Sequence, residues 1–292
     1  MPSTAGIIGL TAVAMAAFAA NSVLARLALA DGAMDAAGFT GLRLVSGALV
    51  LAGILALRGG WRPRAGLGGS LWGAAALLVY ALGFSLAYLR LGAGTGALVL
   101  FAAVQIGMLG WGVGRGDRPG ALEWAGFGIA VAFLGLLLAP GVTAPDPLGA
   151  GMMAVAGLAW AAYSLIGRGS GAPLIDTAGN FLRCVPVALL LILPGLVAQS
   201  GSPAGWALAV ASGALASGLG YAVWYSVLPA LSRTNAAFVQ LTVPAIAAIG
   251  GVLFIAEPLT PRLAISAAGI LGGVAIALWA ADLRTRRRAA QK

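Results

Sequence analysis

The stretch that decides the fold is Phe18-Ala-Ala-Asn-Ser-Val-Leu-Ala-Arg26, because the chain contains it twice. It returns in altered form as Trp160-Ala-Ala-Tyr-Ser-Leu-Ile-Gly-Arg168, about 140 residues later. The pair Leu42-Arg43 likewise returns as Leu182-Arg183 at nearly the same spacing. A repeat at about half the chain length indicates a duplicated unit.

The repeat predicts two related halves, residues 1–142 and 143–283, followed by a basic tail at residues 284–292. Asp117 and Glu257 correspond at the same spacing, and each precedes a proline-containing turn. We therefore expect the functional site to lie between the two halves.

The composition is that of a membrane protein. Of 292 residues, 61% are hydrophobic and 9% are charged, and the mean hydropathy is +0.99, whereas soluble domains carry roughly 25% charged residues. A net charge of +9 would suggest a nucleic-acid partner in a soluble protein. Here most arginines flank apolar segments, so we expect no nucleic-acid binding.

Residue types that several classes of site require are scarce. The sequence has no histidine and a single cysteine, Cys184, which lies in an apolar run. We therefore expect no metal, no cofactor and no disulfide, and the commonest general base is missing. There is no HExxH motif, no GxSxG motif and no pair of intramembrane acids, so we expect no catalytic residues.

Apolar runs long enough to cross about 30 Å of hydrocarbon recur along the chain, separated by clusters of Gly, Pro and Asp. The first run continues too far, and lacks the basic start, for a cleaved signal peptide. The runs predict an all-α membrane protein with ten transmembrane helices, at residues 5–29, 36–57, 68–90, 93–113, 121–139, 149–168, 174–197, 204–228, 233–255 and 262–281.

Basic residues are unevenly distributed between the two predicted sides of the membrane. If the N-terminus is cytoplasmic, the outer connections hold only Arg26, Arg90 and Arg262. The inner connections and the tail hold Arg58, Arg62, Arg64, Arg115, Arg118, Arg168, Arg233, Arg284, Arg286, Arg287, Arg288 and Lys292. The excess predicts that both termini are cytoplasmic. Five helices per half then make the second half an inverted repeat of the first, with a central cavity near the midplane.

Polar and aromatic side chains within the predicted helices are the candidates for a substrate site. Tyr80 and Phe84 share one face of the third helix, and Tyr221 and Trp224 form a similar group on its counterpart, the eighth. Such rings line a cavity for planar or apolar groups, or else they pack or form the interfacial aromatic belt. For the polar members, hydrogen bonding between helices is the competing interpretation. The full candidate set is Asn21, Tyr80, Phe84, Gln105, Trp160, Tyr163, Tyr221, Trp224 and Gln240.

Three further features concern the same helices. Pro244 lies one turn after Gln240 and predicts a kink, which either faces a cavity or is incidental. Arg43 and Arg183 lie just inside the second and seventh helices, and we expect them to snorkel to the interface; attraction of anionic groups is the functional alternative. All eight acidic residues fall in loops or at helix ends. Because proton relays commonly use a buried acid or histidine, we expect transport without proton coupling.

The chain resembles the EamA-type members of the drug/metabolite transporter superfamily. The resemblance rests on the fragment Glu257-Pro-Leu-Thr260, on the Asp117 and Glu257 positions, and on the segments that end at Arg26, Arg43, Arg168 and Arg183. The resemblance covers essentially the whole chain and is greatest to the YddG-type bacterial exporters of aromatic amino acids. It implies a ten-helix carrier of the bacterial inner membrane whose first, third, fourth, sixth, eighth and ninth helices surround a central cavity. It also implies a structural role for the loop acids, although the first half has Asp117-Arg118-Pro119 where the second has Glu257-Pro258.

The function that this resemblance implies is export of amino acids, aromatic and other neutral ones, together with related metabolites or drugs. We expect a monomer whose partners are its small-molecule substrate and membrane lipid. A lipid or lipid-precursor flippase of the same fold is the alternative, and a membrane enzyme is a weaker one.

Overall fold

The computed structural model describes residues 3–59, 66–198 and 201–290, and ten of its helices are long and apolar enough to cross a membrane. They are α1 (Thr4–Leu29), α2 (Ala36–Leu57), α3 (Leu71–Tyr88), α4 (Ala93–Gly114), α5 (Ala121–Leu138), α6 (Pro147–Ile166), α7 (Pro173–Val197), α8 (Pro203–Ala230), α9 (Asn235–Ile255) and α10 (Pro261–Ala290). The predicted fold class is confirmed. The basic tail begins within α10, and Arg62, Arg64 and Lys292 lie outside the described residues.

Several helices begin at a polar side chain that accepts a hydrogen bond from an otherwise unpaired backbone N–H. Asp35 caps α2 by accepting from the Gly38 N–H at 2.7 Å, and Asp146 caps α6 by accepting from the Gly149 N–H at 2.7 Å. Asp176, in the first turn of α7, accepts from the Gly69 N–H at 2.7 Å. These carboxylates therefore serve helix starts and connections rather than the membrane interior.

The helices pack in a pattern that treats the two halves alike. Helix α2 packs against α7, and α5 packs against α10. Helix α1 packs against α8 and α9, as α6 packs against α3 and α4. An exchange of the halves leaves the α2–α7 and α5–α10 contacts unchanged and turns the contacts of α1 into those of α6, so the packing fits an inverted repeat.

Two helices are irregular at mid-depth. Helix α8 contains a π-helical segment, Ser212–Leu219, between α-helical turns; such segments occur frequently at functional sites. Helix α9 is interrupted at Leu241, between Arg233–Gln240 and Thr242–Ile255. Pro244 has no N–H to donate to the carbonyl of Gln240, so the kink expected there is present.

The outer surface of the bundle is apolar. Leu49, Leu190 and Leu253 are 67%, 64% and 70% exposed, and such a surface is suited to lipid rather than water. Ten crossings bring Thr4 and Ala290 to the same face, here called the terminal side; the other face is the distal side. The connections α1–α2, α3–α4, α5–α6 and α9–α10 lie on the distal side.

The two faces can be assigned by labelling single cysteines with a membrane-impermeant maleimide in intact cells, after Cys184→Ala. Val142 is fully exposed in the α5–α6 connection, and Arg118 is exposed in the α4–α5 connection. If both termini are cytoplasmic, Val142→Cys is labelled and Arg118→Cys reacts only after the cells are permeabilised. Labelling of both positions, or of neither, would contradict the ten-helix topology, and the reverse pattern would invert the orientation.

Candidate functional site

A small cavity of about 50 Å³ lies at mid-depth between α1, α3, α4, α6, α8 and α9. Its walls include six of the sequence-predicted residues, namely Asn21, Tyr80, Phe84, Trp160, Tyr221 and Gln240. They also include residues that sequence reasoning missed, among them Phe18, Leu100 and Phe101. Both halves contribute walls, so the cavity lies where the repeat predicts it.

Aromatic rings from the two halves meet around this cavity. The Trp160 ring lies 4.7 Å from that of Tyr80 and 6.0 Å from that of Tyr221, with which it is nearly parallel at 22°. Phe18 approaches Tyr221 at 5.4 Å. These spacings are those of attractive ring pairs, and the cluster offers flat faces to a planar group that enters between them.

The polar side of the cavity is organised by the π-helical segment of α8. Ser212 and Ser217 donate hydrogen bonds to Asn21 Oδ1 at 2.8 and 3.4 Å. Their spacing of five residues matches the i→i+5 repeat of a π-helix, which brings both hydroxyls to the same acceptor. A Cβ at Gly213 would collide with Ser46 and with the Arg43 carbonyl, so glycine is needed for α8 to approach α2 this closely.

The snorkelling expected of Arg43 is wrong. Arg43 is only 3% exposed, and its Nη2 donates to the Tyr80 hydroxyl at 3.0 Å. Its guanidinium also lies 4.7 Å from the centre of the Phe84 ring. Helix α2 turns this residue toward α3 and α8, where the guanidinium meets rings and hydroxyls. Arg183, its counterpart, is half-buried and donates to the backbone carbonyls of Gly68 and Gly179.

A wider vestibule of about 450 Å³ leads from the central cavity to the terminal side. The two spaces share Phe101, Val104, Trp160 and Gln240 as walls. Farther out, the vestibule is lined by Gln105, Ser164, Arg168, Asp117, Glu123 and Arg284. An ion pair of 2.7 Å between Glu123 and Arg284 lies on one of its walls. The cavity therefore adjoins a vestibule that reaches the terminal side.

The distal side is closed above the cavity by a cluster that joins both halves, here called the distal latch. Glu257 lies 3.4 Å from Arg26 and accepts from the Ala93 N–H with both oxygens, at 3.0 and 2.8 Å. Arg26 Nη1 also donates to the Tyr88 carbonyl at 3.1 Å. The distal latch thus connects α1, the α3–α4 connection and the α9–α10 connection.

Seven of the nine predicted site residues line the cavity or the vestibule, Gln105 only the latter. Tyr163 and Trp224 lie behind them. The Tyr163 hydroxyl donates to Thr177 Oγ1 at 3.2 Å while its ring stacks on Trp160, and Trp224 packs edge-on against Phe18 at 6.2 Å. The sequence did contain a signal for Phe18, because the repeat aligns it with Trp160.

Among the described residues, no three His, Cys, Asp or Glu side chains are placed to hold a metal ion. The arrangement offers stacking surfaces, hydrogen-bond donors and acceptors, and one buried cation. These are groups suited to binding a small molecule between the halves.

The chain is similar to known proteins in sequence and in fold. It is 53% identical over 271 residues to "Uncharacterized protein PA1977" of Pseudomonas aeruginosa, a match that covers 92% of this chain and 93% of that protein. The EamA-like transporter family matches residues 147–279. The second half of the chain therefore carries an EamA-like transporter domain. A solved crystal structure of a protein superposes with a TM-score of 0.61 at 20% identity, covering 91% of this chain and 97% of that one; this shows a shared fold. An EamA-like transporter domain indicates a membrane transporter of small molecules.

The distal latch generates a prediction about access to the cavity. In Glu257→Gln the ion pair with Arg26 is lost, which should destabilise the closed distal side by about 1 kcal/mol, or roughly fivefold in population. The measurement is the rate at which Ser22→Cys, buried at the cavity wall, reacts with an impermeant maleimide in intact cells. We expect that rate to rise severalfold.

Asp146→Asn is the matched control, because it removes a distal ion pair with Arg90 while keeping an oxygen to cap α6. Its labelling rate should equal that of the parent. An equal rise in both variants would mean that general loosening, rather than the distal latch, controls access.

Proposed function

We propose that this transporter exports amino acids, aromatic and other neutral ones, together with related metabolites or drugs. It acts as a facilitative carrier by alternating access in the bacterial inner membrane, with both termini in the cytoplasm. The observation that carries this proposal is the ring-lined cavity between the halves, with the vestibule on its terminal side and the distal latch on the opposite side. A carrier in this conformation accepts its substrate from the terminal side.

The walls suit an aromatic amino acid. Trp160 and Tyr221 offer ring faces to an aromatic side chain, and the same faces attract an ammonium group. Gln240 Nε2 donates to the Ala236 carbonyl at 3.4 Å, which leaves its Oε1 as an acceptor for that ammonium. The cavity of about 50 Å³ holds little more than a water molecule, so substrate first occupies the vestibule and the rings must part to admit it.

The site lies within a single chain, between its two halves, and needs no second copy to complete it. This arrangement supports a monomeric carrier. A lipid flippase is less well supported, because the lipid-facing groove between α4 and α6 lies on the other face of α4. That groove is walled by Ile106, Gly107 and Gly110, whereas Gln105, Met108 and Leu109 face the vestibule.

The ring faces give the first test of the proposal. Tyr80→Ala and Tyr221→Ala each remove a buried stacking surface, so we expect export of phenylalanine to fall about tenfold. The measurement is efflux of labelled phenylalanine from liposomes that contain equal amounts of purified, folded protein. Trp111→Ala is the control, because that ring lies on the outer face of α4 and is 48% exposed. If both tyrosine variants transport like the parent and like Trp111→Ala, these rings serve packing alone.

Among the described residues, no acid or histidine lines the central cavity, and this gives the second test. A zwitterionic amino acid has no net charge, so the membrane potential, about 2.3 kcal/mol per charge per 100 mV, should bias its movement little. In liposomes with an imposed pH gradient and no substrate gradient, we expect phenylalanine to equilibrate without accumulating, with or without a protonophore. Steady accumulation that the protonophore abolishes would demonstrate proton coupling and overturn the facilitative mechanism.

A further inference from the structure

Arg43 is a buried cation without a buried anion. Its side chain is 3% exposed, and Nη2 and Nε donate to the Tyr80 hydroxyl at 3.0 Å and to Ser217 Oγ at 3.4 Å. Its Nη1 has no hydrogen-bond partner among the described residues. In the same part of the chain, no carboxylate lies within ion-pair distance of the guanidinium.

Such a charge is costly to bury unless something compensates it. The rings of Tyr80 and Phe84, with centres 5.3 and 4.7 Å from the guanidinium carbon, compensate only in part. Ion pairs elsewhere in the protein engage Arg26, Arg90 and Arg284. The positive potential around Arg43 is therefore left for an anion that the chain itself does not supply.

Tyr80 connects Arg43 to the cavity wall. Its hydroxyl oxygen accepts from Arg43, and its own proton has no acceptor among the described residues. A phenol that accepts from a cation is a stronger donor to an anion. Tyr80 lines the cavity and Arg43 does not. The charge of Arg43 therefore acts on a ligand in the cavity through the Tyr80 hydroxyl.

Asn21 adds a second donor on the same wall. Its Oδ1 is occupied by the hydroxyls of Ser212 and Ser217, which fixes the amide so that Nδ2 is the remaining group. No acceptor for Nδ2 is found in the described part of the chain, and Asn21 lines the cavity. This wall therefore presents two donors, backed by a positive charge.

We propose that the Tyr80 hydroxyl and the Asn21 amide form a carboxylate subsite, with Arg43 as the positioning residue that supplies its charge. The ring faces of Trp160 and Tyr221 receive the rest of the molecule. The ligand class is a small aromatic compound with a single carboxylate, and the corresponding amines without a carboxylate are rejected. This inference rests on the proposed function, because it takes the central cavity as the transport site.

The test compares phenylacetate, phenylalanine and phenethylamine, which share a ring and differ in charge. Their apparent Kd values are obtained from the rise in the thermal unfolding midpoint of purified protein during titration. We expect phenylacetate and phenylalanine to bind at least about tenfold more tightly than phenethylamine, as a charge-assisted hydrogen bond requires.

The variants separate the effect of the Arg43 charge from the effect of losing structural contacts. Arg43→Gln and Tyr80→Phe should each reduce the preference for carboxylates to about threefold or less, whereas Arg43→Lys should keep part of it because the charge remains. Arg183→Gln is the matched control at the equivalent position of the other half. It loses backbone contacts and therefore stability, but it should keep the full carboxylate preference.

The outcomes distinguish this subsite from the proposed function. Binding of phenylacetate without phenylalanine would support the subsite and defeat amino-acid export. Binding of phenylalanine with an unchanged carboxylate preference in both Arg43→Gln and Tyr80→Phe would overturn the subsite and leave the export proposal standing. Equal affinity of the parent for phenylacetate and phenethylamine, or no binding of either, would also overturn the subsite.

Discussion

Hydrocarbon offers no water to a polar group, so every donor and acceptor within the membrane must find its partner in the protein. Most hydroxyls here do so within their own helix. Thr11, Thr40 and Ser85 donate to the carbonyls four residues earlier at 2.7, 2.7 and 2.9 Å. Asn21 and Arg43 cannot be satisfied in that way, and both turn to neighbouring helices. The candidate site lies where polar side chains cannot find hydrogen-bond partners within their own helix.

The same constraint explains why the fold was predictable from the sequence. A spanning helix is a local property of about twenty apolar residues, and its ends carry local signals such as Asp35 and Asp146. Those features do not depend on how the helices pack. The repeat of Phe18–Arg26 as Trp160–Arg168 then indicated that the halves enclose a site, and most of the predicted residues lie there.

What remained beyond the sequence depends on how the helices are rotated and where their backbones deviate. Arg43 and Arg183 occupy equivalent positions, yet only Arg43 meets aromatic rings, because α3 places Tyr80 and Phe84 against α2. The π-helical segment of α8 contains no proline from which it could have been predicted. It nevertheless places the hydroxyls of Ser212 and Ser217 within hydrogen-bond distance of Asn21. Tyr163 and Trp224 share helices with true cavity residues but face neighbouring side chains instead.

The repeat also relates the two sides of the molecule. Arg26 and Glu257, the charged pair of the distal latch, correspond to Arg168 and Asp117 in the other half. Those two counterparts line the open vestibule, and no ion pair between them is found in the described residues. An exchange of the halves would close the Arg168–Asp117 side and open the Arg26–Glu257 side. In the proposed mechanism, alternating access therefore needs no new kind of interaction, only an ion pair between the halves that forms on one side of the molecule or the other. Glu257 and Asp117 have a structural role within each state. In this mechanism, which of the two acids is paired with an arginine distinguishes one state from the other.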